Sequence, residues 1–130
     1  HETQLTLDPE LRLLVKELVS TINDCAFCQD LAAADAQDED VSPEKWHSLL
    51  QYADHPAFDD AERAALAYAE EVTRETDASD ATINALRPHF DERQIVELTW
   101  LVAMENYYNL LNRPLGIGSD ELCALSDAEA

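Results

Sequence analysis

The chain has 130 residues, of which 28 are Asp or Glu and eight are Lys or Arg, so its formal net charge is −20. A chain of this length is enough for one compact domain with its own core, and we treat residues 1–130 as a single domain. Because acid is spread over every segment, a nucleic-acid backbone would be repelled, which argues against nucleic-acid binding.

The first two predicted helices flank a pair of cysteines. Asp8-Pro9 is typical of a helix start, and the apolar residues that follow recur at helical spacing as far as about Asn23. Asn23-Asp24 then supplies a stop and a new cap, so a second helix is expected to begin at Cys25-Ala26-Phe27-Cys28 and to include Ala32-Ala33-Ala34. The stretch from Asp35 to Asp40 is acidic and lacks periodicity, and we predict a loop there.

Four more helices are predicted, which gives an all-α fold of about six helices. No glycine precedes Gly116, and this absence favours helix throughout. We expect Trp46 and Trp100 to fill the core, and Glu105, which enters an apolar helix, to be paired or functional. The remaining helices are predicted to start at Ser42-Pro43 with Trp46, Leu49 and Leu50 inward, at Asp59 or Asp60, at Ser79, and at Asp91, the last extending to about Leu111.

Location and membrane association are predicted from what the sequence lacks. No N-terminal segment has the basic start and apolar core of a secretory signal. The most apolar stretch, residues 98–104, is far shorter than the ~20 residues that a membrane helix needs. Three cysteines do not make a secreted disulfide framework, so we expect a cytoplasmic protein without membrane association. Cys123 is interpreted as a free thiol in a flexible acidic tail after residue 118.

Cys25 and Cys28 carry the clearest chemical signal. Two thiols three positions apart can close a small disulfide ring and reopen it, which moves two electrons. A helix start favours a thiolate, whereas Asp24, Asp30 and the net charge oppose one, and the sequence leaves this balance open.

Two other interpretations of the cysteine pair stay open. The thiols would also suit the packed face of an alanine-rich helix, since free cysteine is often buried. A structural zinc site usually needs four ligands, and the chain offers one close pair plus Cys123 and scattered histidines. We therefore expect neither a bound metal nor a cofactor.

The chain resembles the carboxymuconolactone decarboxylase and alkylhydroperoxidase D-like (AhpD-like) family. Residues 7–12 and 19–28, the latter with an Asn-x-Cys-x-x-Cys pattern, look like the core of that family. Residues 58–66, 90–98 and 106–113 are similar to its later helices, and the resemblance covers about residues 7–120. It implies an all-helical fold that assembles as a trimer or hexamer, and a peroxidase-type activity that runs on Cys25 and Cys28 with a thiol reductant.

The same resemblance shows where this chain departs from the peroxidase members. They use a Glu upstream of the pair and a His four residues after the second Cys as a proton relay, and here Leu13 and Ala32 stand at those positions. A positioned acid or base typically contributes ~10²- to 10⁴-fold in rate, so a fast peroxidase is not expected. Glu17, Asp30 and His47 are candidate weak assistants, with a solvated acidic face as the alternative for the first two.

The sequence thus predicts an oligomeric thiol-disulfide oxidoreductase that reduces peroxide or an oxidised thiol through Cys25 and Cys28. Its partners would be a small peroxide and a thiol reductant. A non-catalytic assembly or binding protein of the same fold is the first alternative, and a carboxymuconolactone decarboxylase-like lyase is the second. For the polar end of the last helix, residues 106–113, a subunit interface is favoured over a pocket.

Overall fold

The computed structural model describes residues 5–117, and across these residues the backbone is helical and contains no β-strand. The prediction of an all-α fold with about six helices is confirmed. Cys123 and the predicted acidic tail lie outside the described residues. The helices are α1 (Pro9–Ile22), α2 (Ala26–Asp38), α3 (Pro43–His47), α4 (Asp60–Glu75), α5 (Asp80–Leu86) and α6 (Glu92–Asn112), with a 3-10 turn at Leu49–Gln51.

Helix α1 lies at the centre of the fold and packs against α2, α4 and α6. Its apolar stripe is buried, and Leu14, Val15 and Val19 have no exposed surface. Burial of such a side chain contributes about 1.5–3 kcal/mol relative to leaving it in water. The stripe therefore fixes where α2 and α6 lie, and these two helices carry the cysteine pair and the residues around it.

The predicted helix starts are confirmed by their caps. Each capping side chain accepts a hydrogen bond from the backbone N–H three residues further on, which satisfies a donor that the helix leaves unpaired. At two of the caps, the side chain of that third residue also accepts a hydrogen bond from the backbone N–H of the capping residue, and the two bonds together form a capping box. The caps are Asp8, Ser42, Asp59, Ser79 and Asp91, and the boxes are Asp59 with Glu62 and Asp91 with Gln94.

The predicted loop from Asp35 to Asp40 is wrong, because α2 continues to Asp38. Ala36 and Val41 are both buried in the core, and the backbone N–H of Val41 bonds to the carbonyl of Ala36 at 3.1 Å. Asp40 has a φ of 56°, which turns the chain back after the helix. Core packing of Ala36 and Val41 thus overrides the weak local preference of an acidic segment.

Two apolar side chains also lie elsewhere than predicted. Trp46 packs partly buried against the core, as expected, but Trp100 is 38% exposed on α6. Leu50 is 63% exposed because α3 ends at His47 and a 3-10 turn redirects the chain, whereas Leu49 remains buried. Helix α6 therefore carries apolar side chains on an exposed face as well as on its buried face.

No helix within residues 5–117 is long and apolar enough to cross a bilayer.

Candidate active site

Cys25 and Cys28 lie where the chain reverses between α1 and α2. Asp24 has a φ of 53°, and the N–H of Cys25 bonds to the carbonyl of Ser20 at 2.9 Å, so the turn returns α2 along the end of α1. The second helix begins at the cysteine pair, as the sequence predicts, with Cys28 in its first turn. The predicted cap at Asn23-Asp24 is wrong, because Cys25 is the N-cap and its side chain makes no capping hydrogen bond. Both are free thiols and are 1% and 5% exposed.

An amide network from the end of α6 holds this turn. Asn23 Nδ2 donates to the side-chain oxygens of Asn106 and Asn109, at 2.8 and 2.7 Å. Asn109 Nδ2 in turn donates to Ser20 Oγ at 3.3 Å, and Asn109 is only 2% exposed. Because buried amides are costly unless bonded, this network ties the Cys25 cap to α6 in one arrangement.

Asn112 extends the network to the sulfur of Cys28. Its Nδ2 donates to Cys28 Sγ at 3.3 Å, across 84 positions of the chain. Such a donor favours a negative sulfur over a neutral one. The structure places Asn112 on the Cys28 thiol, and the predicted interface role of residues 106–113 stays a prediction.

Cys28 faces a cavity of about 300 Å³ between α1, α2 and α6. Phe27, Leu31 and Ala32 form apolar parts of its lining. Leu31 and Tyr108 also line it and are exposed, so the cavity reaches the protein surface. A small molecule that enters it can therefore meet the Cys28 sulfur.

Burial raises the pKa of the Cys28 thiol to about 11. A hydrogen bond with Cys25 also raises this pKa, while Asn112 and Asn109 lower it by a smaller effect. At pH 7 the protonated thiol is therefore the favoured form of Cys28. Burial thus opposes the thiolate that a helix start favours.

Both relay positions are apolar and buried in the structure. Leu13 is 6% exposed and packs in the core, and Ala32 is 4% exposed and lines the Cys28 cavity. Neither side chain can hold or move a proton. Any proton transfer at Cys28 must therefore use other groups.

Glu105 on α6 is a carboxyl group at this cavity. It lines the Cys28 cavity together with Lys16 and Asp35, and it is only 8% exposed. The sequence marks it as a carboxylate within an apolar helix, but its proximity to Cys28 depends on how α6 packs on α2. Glu105 is thus a site residue that the predicted set of assistants lacks.

The three predicted assistants occupy different places. Glu17 is half-buried on α1 and lines a second cavity of about 320 Å³, and His47 lines the same cavity. Glu17 also interacts electrostatically with Glu105, which lines the Cys28 cavity. Asp30 is half-buried and lies outside the lining of the Cys28 cavity.

Within residues 5–117, no three His, Cys, Asp or Glu side chains are grouped so that they could hold a metal ion.

Known proteins are similar to this chain in sequence or in fold. The protein YnjA of Escherichia coli (strain K12), which is uncharacterized, is 32% identical over 93% of this chain and 67% of its own length. The structure of ATU0492 from Agrobacterium tumefaciens, a protein of unknown function named as a candidate antioxidant defence protein AhpD, superposes with a TM-score of 0.82. It is 28% identical, over 88% of this chain and 80% of its own.

A more distant structure has the same fold. An uncharacterized peroxidase-related protein from Silicibacter sp. TM1040 superposes with a TM-score of 0.76 at 24% identity, over 85% of this chain and 59% of its own.

The model of the carboxymuconolactone decarboxylase family matches residues 3–71, which include α1, the cysteine pair and α2. The chain belongs to the carboxymuconolactone decarboxylase family and has its AhpD-like fold.

Proposed function

We propose that this protein is a dithiol peroxidase in which Cys28 attacks a small peroxide and Cys25 closes the disulfide. The observation that carries this assignment is the position of Cys28, whose sulfur faces a cavity of about 300 Å³ while Cys25 lies in hydrogen-bond contact behind it. A relative of similar structure, ATU0492, is named for antioxidant defence, which supports the same class of reaction.

The reaction balances with a peroxide, ROOH, and a thiol reductant. The Cys28 sulfur attacks a peroxide oxygen, the O–O bond breaks, ROH leaves, and Cys28 becomes a sulfenic acid. Cys25 then attacks that sulfur, so that an S–S bond forms and water leaves. An external dithiol reduces the disulfide and becomes a disulfide itself, which returns both cysteines to thiols.

The cavity favours a small, partly apolar peroxide. Phe27, Leu31 and Ala32 supply apolar surface, and the volume is at the lower limit of typical ligand pockets. The buried thiol of Cys28 and the apolar side chains at positions 13 and 32 both predict slow turnover. The proposed enzyme is therefore a modest peroxidase.

The test is consumption of an organic hydroperoxide in the presence of a small dithiol. The Cys123→Ser variant is the parent protein, so that only Cys25 and Cys28 can react. We expect continuous consumption by the parent and none above the reagent blank by a variant that also lacks both of these thiols. No consumption by the parent would instead support a non-catalytic, binding member of the family.

We also propose that the chain is a homo-oligomer, a trimer or a hexamer. Helix α6 exposes Val96, Trp100, Leu110 and Leu111, and a contiguous apolar face of this kind usually packs against another subunit. Light scattering after gel filtration is expected to give three or six times the mass of 14.6 kDa. Leu110→Glu should lower that mass toward the monomer, and a monomeric parent protein would contradict the proposal.

A further inference from the structure

A row of three asparagines near the end of α6 meets the turn between α1 and α2. Asn106, Asn109 and Asn112 are spaced three residues apart, so successive members are neighbours on the helix surface. The first two accept hydrogen bonds from Nδ2 of Asn23, which lies in that turn. The third, Asn112, donates from its Nδ2 to Cys28 Sγ at 3.3 Å. The row of amides thus ends on the sulfur that faces the cavity.

The backbone of Asn112 is fixed by the way α6 ends. Its carbonyl accepts a hydrogen bond from the N–H of Ile117 at 2.9 Å. Gly116 has a φ of 71°, which is the left-handed conformation that commonly closes a helix end. The Nδ2 donor is therefore held beside Cys28 before any charge forms on the sulfur. A donor that is already in place costs no reorganisation when the charge develops.

The sulfur of Cys28 depends on a donor from the protein. Because Cys28 is 5% exposed, water supplies few hydrogen bonds to it. A hydrogen bond to an ionised group is stronger than one between neutral groups, and it gains further strength away from water. Burial raises the pKa of Cys28, and the hydrogen bond from Asn112 lowers it. Cys25 lies outside the lining of this cavity, so the donor and the cavity meet at Cys28.

Other titratable and charged groups also act on the Cys28 sulfur. Carboxyl groups that line its cavity oppose a thiolate, and an ammonium group favours one. These groups are Asp35 on α2, Glu105 on α6 and Lys16 on α1, together with the exposed phenol of Tyr108 and the thiol of Cys25. The three charged groups act across the cavity, whereas Asn112 contacts the sulfur itself.

We propose that Asn112 is a catalytic residue whose side-chain N–H stabilises negative charge on the Cys28 sulfur, both when Cys28 is the nucleophile and when it is the leaving group. This inference rests on the proposed peroxidase function.

The donor acts at two steps of the proposed cycle. When Cys28 ionises, its proton passes to water through the open side of the cavity, and the sulfur keeps the electron pair with which it attacks the peroxide. After the disulfide has formed, one thiol of the reductant attacks Cys28, and the electron pair of the S–S bond goes to Cys25. The second thiol then attacks the reductant's own sulfur in this mixed disulfide, so the reductant becomes a disulfide and Cys28 leaves as a thiolate. Asn112 stabilises Cys28 in the first and the last of these steps.

The test measures how fast Cys28 reacts with 4,4′-dithiodipyridine, a small uncharged disulfide whose released thione is followed by absorbance, from pH 7 to 9. The reference protein carries Cys25→Ser and Cys123→Ser, so Cys28 is its only thiol. Asn112→Leu removes the donor without adding charge, and Asn112→Asp removes it without changing the shape of the side chain. A slower reaction in both variants therefore reports the lost donor.

The expected effects follow from the strength of a hydrogen bond to a charged group. In Asn112→Leu the thiolate fraction should fall roughly 10-fold. A more basic thiolate is also more nucleophilic, which recovers part of this loss, so the rate should fall about 3-fold. Asn112→Asp should be slower still, because its charge opposes the thiolate.

Asn106→Leu is the matched control. It removes an amide from the same row and a hydrogen bond to the turn, but it leaves the donor on the sulfur. We expect its rate to stay closer to the reference protein than to Asn112→Leu. A rate as low as that of Asn112→Leu would show a general loosening of the turn and would overturn the role of Asn112. Asn112 variants that react as fast as the reference protein would overturn it as well.

Peroxide consumption separates this inference from the proposed function. In the Cys123→Ser protein, Asn112→Leu is expected to lower peroxide consumption about 3-fold, for the same reason. If the Cys123→Ser protein consumes no peroxide while both Asn112 variants slow the disulfide reaction, the peroxidase function fails and the stabilisation of Cys28 by Asn112 stands. If peroxide is consumed but the Asn112 variants react like the reference protein, the function stands and the role of Asn112 fails.

Discussion

Cys28→Ser in the Cys123→Ser parent is expected to lower peroxide consumption by roughly 10²-fold or more, because the variant lacks the nucleophile that faces the cavity. Cys25→Ser should behave differently. Its Cys28 can still react once with peroxide, but the sulfenic acid that forms has no resolving thiol. We expect one equivalent of peroxide to be consumed and a sulfenic acid at Cys28 that a dimedone-type probe labels.

The two serine variants control for each other. Both replace a buried sulfur by an oxygen at the start of α2, one at its N-cap and one in its first turn, so damage to the fold should affect them alike. If Cys25→Ser and Cys28→Ser both failed to consume the first equivalent of peroxide, the assignment of Cys28 as nucleophile and Cys25 as resolving thiol would be wrong. Equal rates in the parent and both variants would contradict the redox hypothesis as a whole.

Glu17→Gln is expected to stabilise the folded protein at pH 8 by about 1–3 kcal/mol, with little gain near pH 4.5. The pKa of Glu17 is raised from 4.5 to about 7, so the folded state binds this proton more tightly than the unfolded state does. The stability that comes from proton binding is fully present below pH 4.5 and is lost as pH rises through 7. Above that range wild-type Glu17 is a buried, ionised carboxylate, whereas the glutamine side chain of the variant carries no charge to bury.

Urea unfolding at pH 5 and pH 8 measures this difference. Glu75→Gln is the matched control because it removes one negative charge at an exposed position of α4 and therefore corrects for the net charge of −20. We expect the advantage of Glu17→Gln over Glu75→Gln to appear at pH 8 and to shrink at pH 5. An advantage of equal size at both pH values would contradict a raised pKa at Glu17.

Local sequence signals predict the helices of this protein well where a cap fixes them. Asp8, Ser42, Asp59, Ser79 and Asp91 all cap the helices that they predict, because capping depends on residues only three positions apart. The end of α2 could not be predicted in this way. It is decided by the burial of Ala36 and Val41, which local propensity does not report.

Only part of the candidate site can be predicted from the sequence. The spacing of Cys25 and Cys28 is local and points directly to their chemistry, and the apolar context of Glu105 marks it as unusual. The hydrogen bond from Asn112 to Cys28 joins residues 84 positions apart, so no local sequence pattern predicts it. The raised pKa of Cys28 likewise follows mainly from burial in the assembled fold, which no local pattern reports.

The position of Glu17 shows how one turn changes the chemistry available. In a continuous helix, Glu17 would be far from Cys28. The positive φ of Asp24 reverses the chain so that α2 packs against α1. Helix α6 also packs against α1, and there Glu105 interacts electrostatically with Glu17. The buried carboxyl group that lines the Cys28 cavity is thus Glu105 of α6, whereas Leu13 stands where the family's relay glutamate would be.

The most direct test of this account is peptide mapping by mass spectrometry after one equivalent of hydroperoxide is added to the fully reduced Cys123→Ser protein. The account predicts that the peptide containing Cys25 and Cys28 loses two hydrogen atoms and becomes resistant to alkylation until a dithiol is added. Recovery of that peptide with both thiols free, while the peroxide is unconsumed, would contradict the central claim that this pair is a peroxide-driven redox site.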